Sequence, residues 1–391
     1  MPDIFISHQP LVNRQSRIIA TRLTLHPGAG GSTKDAAQAL NALNEVWPEG
    51  GKPVFVGIAD ISCDTDLLAW AIPENATLEL RSSAMLEGDA AAFIAALQAR
   101  QLSLCLDFDA QAAQAVATGV KFRFIGFDAK TFTPAQLKVL ATKTQPYGIA
   151  VAFNVESAQA FQACLDAGMT AAASWFFRHP VSAGAKTLNP GQMQIIRVLN
   201  LVRKNAEIRE IEAALKNDVA LSYKLLRYIN SAGFGLSCEI QSFRHAVTIL
   251  GYEKLNKWLS LLLATASKDP MAPALMHTAL TRARMMELLA QGLVEKQEYD
   301  NLFITGAFSL LDVLLGVGME QVLDSMHLPE PITDALLGKG GLYAPFLDLA
   351  RACEAGDGTA IAEQAGMLGL SASQLNRTQL QALAFADTME F

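Results

Sequence analysis

The periodicity of this chain changes once, near Pro180, and no other feature constrains its fold as tightly. From Val54 to about Trp175, short apolar runs alternate with alanine-rich amphipathic stretches. The runs are VFVGI (54–58), TLELR (77–81), LSLCLD (102–107), FRFIGFD (122–128), GIAVAF (148–153) and AAASW (171–175). Strand, helix and strand at this spacing predict repeated βαβ units and a parallel sheet. DIFISH and RIIATRLTLH supply two more strands ahead of a GAGGS loop. Together they predict a (β/α)8-like barrel, compressed into about 180 residues where about 250 is typical.

After Pro180 no strand pattern recurs. SAGAKTLNPG reads as a linker, with Asn189 as a helix N-cap and Pro190 in the first turn. NDVALSYKLLRYIN, EKLNKWLSLLLATA, ALTRARMMELLAQGL and TQLQALAFADT carry helical periodicity. Gly233, Gly251, Gly292 and Gly356 fall where helix stops are expected. The fold class expected is multi-domain, α/β plus all-α. Residues 1–182 form the barrel domain and residues 183–391 the all-helical domain.

Composition narrows the function. The 391 residues are 51% hydrophobic and 18% charged, which excludes intrinsic disorder. The longest stretch free of Asp, Glu, Lys and Arg is 13 residues, 364–376, too short for a membrane span. Asp3 stands where a signal peptide would be basic, so a cytoplasmic protein is expected. Cys63, Cys105, Cys164, Cys238 and Cys353 are scattered without a CxxC pair, and read as packed thiols. The net charge of −7 is spread evenly, with 13 basic and 16 acidic residues in 1–185 and 18 and 22 thereafter. No basic stripe appears, so no nucleic-acid partner is expected. GAGGSTK (28–34) precedes a helix but lacks the spacing of a phosphate loop, and reads as a connection.

Period-two alternation assigns the strand faces. Leu78 and Leu80 face out, leaving Thr77, Glu79 and Arg81 in the lumen. By the same rule Ser103, Cys105 and Asp107 face in, as do Ala20, Arg22 and Thr24; Gly126 shares a face with Asp128, and Phe153 is the last inward position of its run. Glu79, Asp107 and Asp128 fall at C-terminal strand ends, where barrels of this kind place their chemistry. Three convergent carboxylates read either as a metal or acid–base site or as a salt-bridged remnant with Arg22 and Arg81. Three acids against two arginines leave one net negative charge, too little to balance two divalent ions.

These segments resemble the EAL domain of bacterial cyclic di-GMP phosphodiesterases. HQPLVNR (8–14) resembles that family's QPIV, LELR (78–81) its LEITE, and LCLDFD (104–109) its LDDFG. IGFD (125–128) resembles LKID, FNVES (153–157) resembles EGVET, and SWFFRHP (174–180) resembles GYYFSKP. The resemblance implies two divalent ions that activate a water for phosphodiester attack. Against that pattern, the signature glutamate position is Arg22, in TRL rather than EAL. The asparagine position is Gly57, the lysine is Gly126, the later glutamate is Phe153 and the glutamine is Ala173; Glu79, Asp107 and Asp128 match. Arg22 is expected to replace the metal as counter-cation and to pair with Glu79, Asp107 or Asp128.

NDVALSYKLLRYINSAGF (217–234) and AVTILGYEKL (246–255) resemble the HDOD domain, a relative of the HD-type metal phosphohydrolases. Asp218, Asn230 and Ser231 carry the match. The His-Asp metal pair of the enzymes reads Leu311-Asp312, and His277 stands near an upstream histidine position. The resemblances together imply a noncatalytic signalling protein with degenerate sites, no cofactor and no metal, acting on other signalling proteins. The alternative they imply is a cyclic di-GMP sensor or weak phosphodiesterase.

Overall fold

The structure, a computed structural model, describes residues 3–28, 30–48, 52–178, 188, 190–216, 251–252, 254–257, 259–260, 263 and 269–389. The described chain divides into two compact units, one of residues 1–177 with 351–380 and one of 178–350 with 381–391. A single cut between 182 and 183 does not describe this grouping, because 351–380 packs with the barrel.

The first unit is a closed barrel with strands in chain order: β1 (Ile4–Asn13), β2 (Ile18–Pro27), β3 (Val54–Ile58), β4 (Ala76–Arg81), β5 (Ser103–Asp107), β6 (Phe124–Asp128), β7 (Ile149–Phe153) and β8 (Ala171–Ala173). The all-parallel expectation needs one correction. β1 runs antiparallel to both β2 and β8, and the remaining pairs are parallel. The cause is local. Only Arg14–Arg17 joins β1 to β2, closed by a bond from Ser16 N–H to the Asn13 carbonyl at 3.0 Å. A parallel connection needs about a dozen residues, so so short a link can only make a hairpin.

Capping explains where the barrel helices begin. Ser32 caps the helix Thr33–Leu43 and forms a reciprocal box with Asp35, which accounts for the serine of the GAGGSTK segment without a phosphate. Thr133 and Gln136 form the same box ahead of Pro134, and Ser157 caps Ala158–Asp166. The lower lumen is filled with aromatic rings. Phe55 packs 4.9 Å from Phe124 and 6.2 Å from Phe153, centre to centre. Ala20, Ala171 and Ala173 complete that cluster, so Ala173 is a small lumen filler.

β8 has three residues, so its ladder reaches only Leu11–Asn13 of β1. Ile4–His8 therefore lacks a strand on that side. Two amide side chains of residues 351–380 take its place. Asn376 accepts from the Ile6 N–H at 3.0 Å and donates to the Ile4 carbonyl at 2.7 Å. Gln379 donates to the Ile6 carbonyl at 2.8 Å and bonds His8 Nδ1 at 3.0 Å. Buried backbone groups need partners, and here they find side chains one helical turn apart.

Every named element among the described residues of the second unit is a helix. The helix Ala272–Leu289 packs against Tyr299–Phe308, and Gly306 permits their close approach. A Cβ at Gly306 would stand 2.5 Å from the Ala283 backbone. No helix among the described residues is long and apolar enough to cross a membrane.

Candidate functional site

The upper lumen holds a small cavity of about 90 Å³ lined by Arg22, Thr24, Gly57, Cys63, Glu79, Arg81 and Asp107, among others. Arg22 projects into it from the middle of β2, Glu79 from β4 and Asp107 from the last position of β5. The face assignment made from alternation holds for these three. Arg81 lines the same cavity, from its rim, where the end of β4 leaves the side chain exposed.

Arg22 meets Glu79 in a fork. Its Nε donates to Oε1 at 2.8 Å and Oε2 at 3.1 Å, and its Nη2 donates to Oε2 at 2.8 Å. Their side chains are 17% and 3% exposed, so the pair is largely withdrawn from water. The guanidinium carbon also lies 4.1 Å from the centre of the Phe153 ring. Burial alone would lower the arginine pKa, but the charge and hydrogen bonds of Glu79 outweigh it and hold Arg22 firmly protonated.

Two glycines make room for this arrangement. A Cβ at Gly57 would stand 2.8 Å from Glu79 Oε2, and one at Gly126 would stand 2.3 Å from Phe153 Cε2. Arg22, Gly57, Gly126 and Phe153 therefore fit around one another and around Glu79.

Asp107 sits beside the pair without bonding it. Its Oδ1 is buried and has no hydrogen-bond partner among the described residues. Burial, then the charge of Glu79, push its pKa up to about 7, opposed by Arg22 and Arg81. Asp128 is engaged elsewhere. Its carboxylate accepts from Lys130 N–H at 2.8 Å and from Asn154 Nδ2 at 2.9 Å. The structure thus brings together Arg22, Glu79 and Asp107, while Asp128 serves the β6 and β7 loops. Asn154, with a positive φ of 56°, holds Asp128 there, a contact that sequence reasoning missed.

This donor set does not fit a divalent ion. Both oxygens of Glu79 are taken by a cation, Asp128 is turned away, and no group of three His, Cys, Asp or Glu among the described residues is arranged for a metal. Burial also keeps the neighbouring thiols protonated. Cys63 and Cys105 are buried, and burial pushes the Cys63 thiol up to about 12 and Cys105 well above its ordinary value.

In the helical unit, His277 is buried on Ala272–Leu289 and bonds Asp387 through Nε2 at 2.9 Å. Leu311 is fully buried at the start of the short helix Leu311–Leu315, with Asp312 in its first turn. Asp218, Asn230 and Ser231 lie outside the described residues.

Comparison with known proteins bears on both halves. Residues 187–314 match the HDOD domain. The cyclic di-GMP phosphodiesterase CdgJ of Vibrio cholerae is 28% identical over 235 residues, 59% of this chain and 54% of that protein. The chain therefore spans about half the length of that relative. The uncharacterized protein YuxH of Bacillus subtilis is 23% identical over 372 residues, 90% of each chain. Among solved structures, a manganese and cyclic di-GMP complex of Klebsiella pneumoniae BlrP1 is 16% identical, with a TM-score of 0.36, covering 44% of this chain and 55% of that one. One expectation is corrected here. The sequence reading holds that the chain is not an enzyme, and a curated relative named as a phosphodiesterase overturns it.

Proposed function

We propose that this chain, which joins an EAL-type barrel to an HDOD domain, is a regulatory protein of cyclic di-GMP signalling that acts through contacts with other signalling proteins. The observation that carries this reading is the Arg22–Glu79 fork. It supplies the counter-charge of the pocket from within the chain and leaves a cavity of about 90 Å³. Pockets that enclose drug-sized ligands run from about 300 to 1,000 Å³. A nucleotide would therefore meet the barrel at its mouth, near the exposed Arg81, or would have to rearrange the pair.

The name of the Vibrio cholerae relative favours a second reading, hydrolysis of cyclic di-GMP by the barrel. In this chain that chemistry would require Glu79 to leave Arg22. Calorimetry with cyclic di-GMP, beside a hydrolysis assay in Mg²⁺ and Mn²⁺, separates the two. Binding that Arg81→Ala weakens, without turnover, supports the regulatory reading. Turnover that Glu79→Ala abolishes establishes the second. Neither binding nor turnover would remove the cyclic dinucleotide from the account.

A further inference from the structure

The second unit carries an open groove of about 620 Å³ that no part of the preceding account uses. One wall is the helix Pro190–Arg203 and the other is the segment Ser325–His327. Asn200 fastens them together. Its Nδ2 donates to the Ser325 carbonyl at 3.0 Å, and its Oδ1 accepts from the His327 N–H at 3.1 Å. Arg203 adds a bond from Nη1 to the His327 carbonyl at 3.3 Å. The groove is thus held in shape by hydrogen bonds before anything enters it.

Its lining combines two chemistries. Met193 and Leu201 give an apolar surface over the buried Ile196, and Met193 is 47% exposed. Arg197 and Lys204 give cations and His327 an imidazole, all exposed. Arg197 and Lys204 are seven residues apart, two helical turns along one face. Among the described residues no acidic side chain lines the groove, and neither Arg197 nor Lys204 has an ion-pair partner. In a chain of net charge −7, this is a local excess of positive charge among the described residues.

Resting on the reading that the chain works through partner proteins, we propose that this groove docks a short amphipathic helix of a partner, apolar along one stripe and acidic beside it. A small anion would leave Met193 and Leu201 uncovered. An uncharged apolar helix would leave Arg197 and Lys204 unpaired. A helix that carries both features matches both, with carboxylates steering the encounter and the apolar stripe filling the groove.

The test uses the full-length chain and two fluorescein-labelled helical peptides of about four turns, read by fluorescence anisotropy. Both carry the same leucine stripe; one is flanked by glutamates and the other by lysines. The glutamate peptide is expected to bind at least about tenfold more tightly than the lysine peptide. The paired change Arg197→Glu and Lys204→Glu should reverse that preference, and Met193→Gln should weaken both peptides. These positions are exposed, and circular dichroism confirms that each variant folds. Equal affinity for the two peptides, indifference to the charge reversal, or displacement of the glutamate peptide by equimolar pyrophosphate would overturn the proposal. No cyclic di-GMP enters the assay, so its failure is separate from failure of the nucleotide reading.

Discussion

The guanidinium carbon of Arg22 stands 4.1 Å from the centre of the Phe153 ring, and that ring occupies the space a Cβ at Gly126 would need. The contact explains why a phenylalanine and a glycine are compatible at these lumen positions. The ring presents its negative face to a cation that Glu79 already holds in place. A longer side chain at Gly126 would compete with the ring, and a carboxylate at Phe153 would compete with Glu79 for the same guanidinium.

Gly126→Ala should therefore destabilise the chain by about 1–3 kcal/mol, the usual range for overpacking a filled interior. The same change made with Phe153→Leu should cost less, because the atom nearest the new Cβ is then gone. Urea unfolding midpoints at constant slope measure both. Equal costs in the two backgrounds would separate Gly126 from the ring.

Asp107 gives the pocket a pH dependence of fixed sign. Its pKa in the folded chain is pushed up to about 7 by burial first and the Glu79 charge second, above the ordinary carboxylate value. Between about pH 4 and 7 the folded chain keeps a proton that the unfolded chain has released, so stability falls as pH rises across that window. Replacing it as Asp107→Asn should remove this fall. The gain of the variant over the parent should grow from pH 4 to pH 7 by at most about 1.4 kcal/mol per pH unit, and level off above. Parallel stability profiles for the two proteins would contradict the assignment.

The open edge of β1 makes a different prediction. Asn376→Ala leaves the buried Ile6 N–H and the Ile4 carbonyl without their partner, at about 1–3 kcal/mol for each group left unsatisfied. Hydrogen exchange at the Ile6 amide should accelerate markedly, while the Leu11 to Asn13 stretch paired with β8 stays protected. Uniform acceleration along β1 would indicate global loss of stability rather than a local opening.

Period-two alternation was enough to place Arg22, Glu79 and Asp107 in one lumen, because a barrel strand has only two faces. The same rule placed Arg81 on the cavity side but did not give its exposure, since alternation does not say where a strand ends and its last side chain reaches water. The antiparallel β1 was also legible, in the four residues between Asn13 and Ile18, but only once connection length is weighed beside hydropathy. What the chain does not show along its length is which body a helix packs on. Asn376 and Gln379 sit within helical periodicity like any polar pair, and their role depends on β8 being three residues long. The mutual fit of Gly57 with Glu79 and of Gly126 with Phe153 was equally invisible, because each glycine is explained by a side chain from a different strand.

The account rests on Arg22 and Glu79 acting as one unit that supplies the pocket's charge balance, and a double-mutant cycle in equilibrium unfolding tests this most directly. Arg22→Ala should cost about 3–5 kcal/mol, because it strands a carboxylate whose side chain is 3% exposed. Glu79→Ala should cost a similar amount by stranding the guanidinium. The double variant should cost well under the sum, with a coupling of about 2 kcal/mol or more. Additivity within about 0.5 kcal/mol would contradict the account, since it would show that the two residues do not depend on each other.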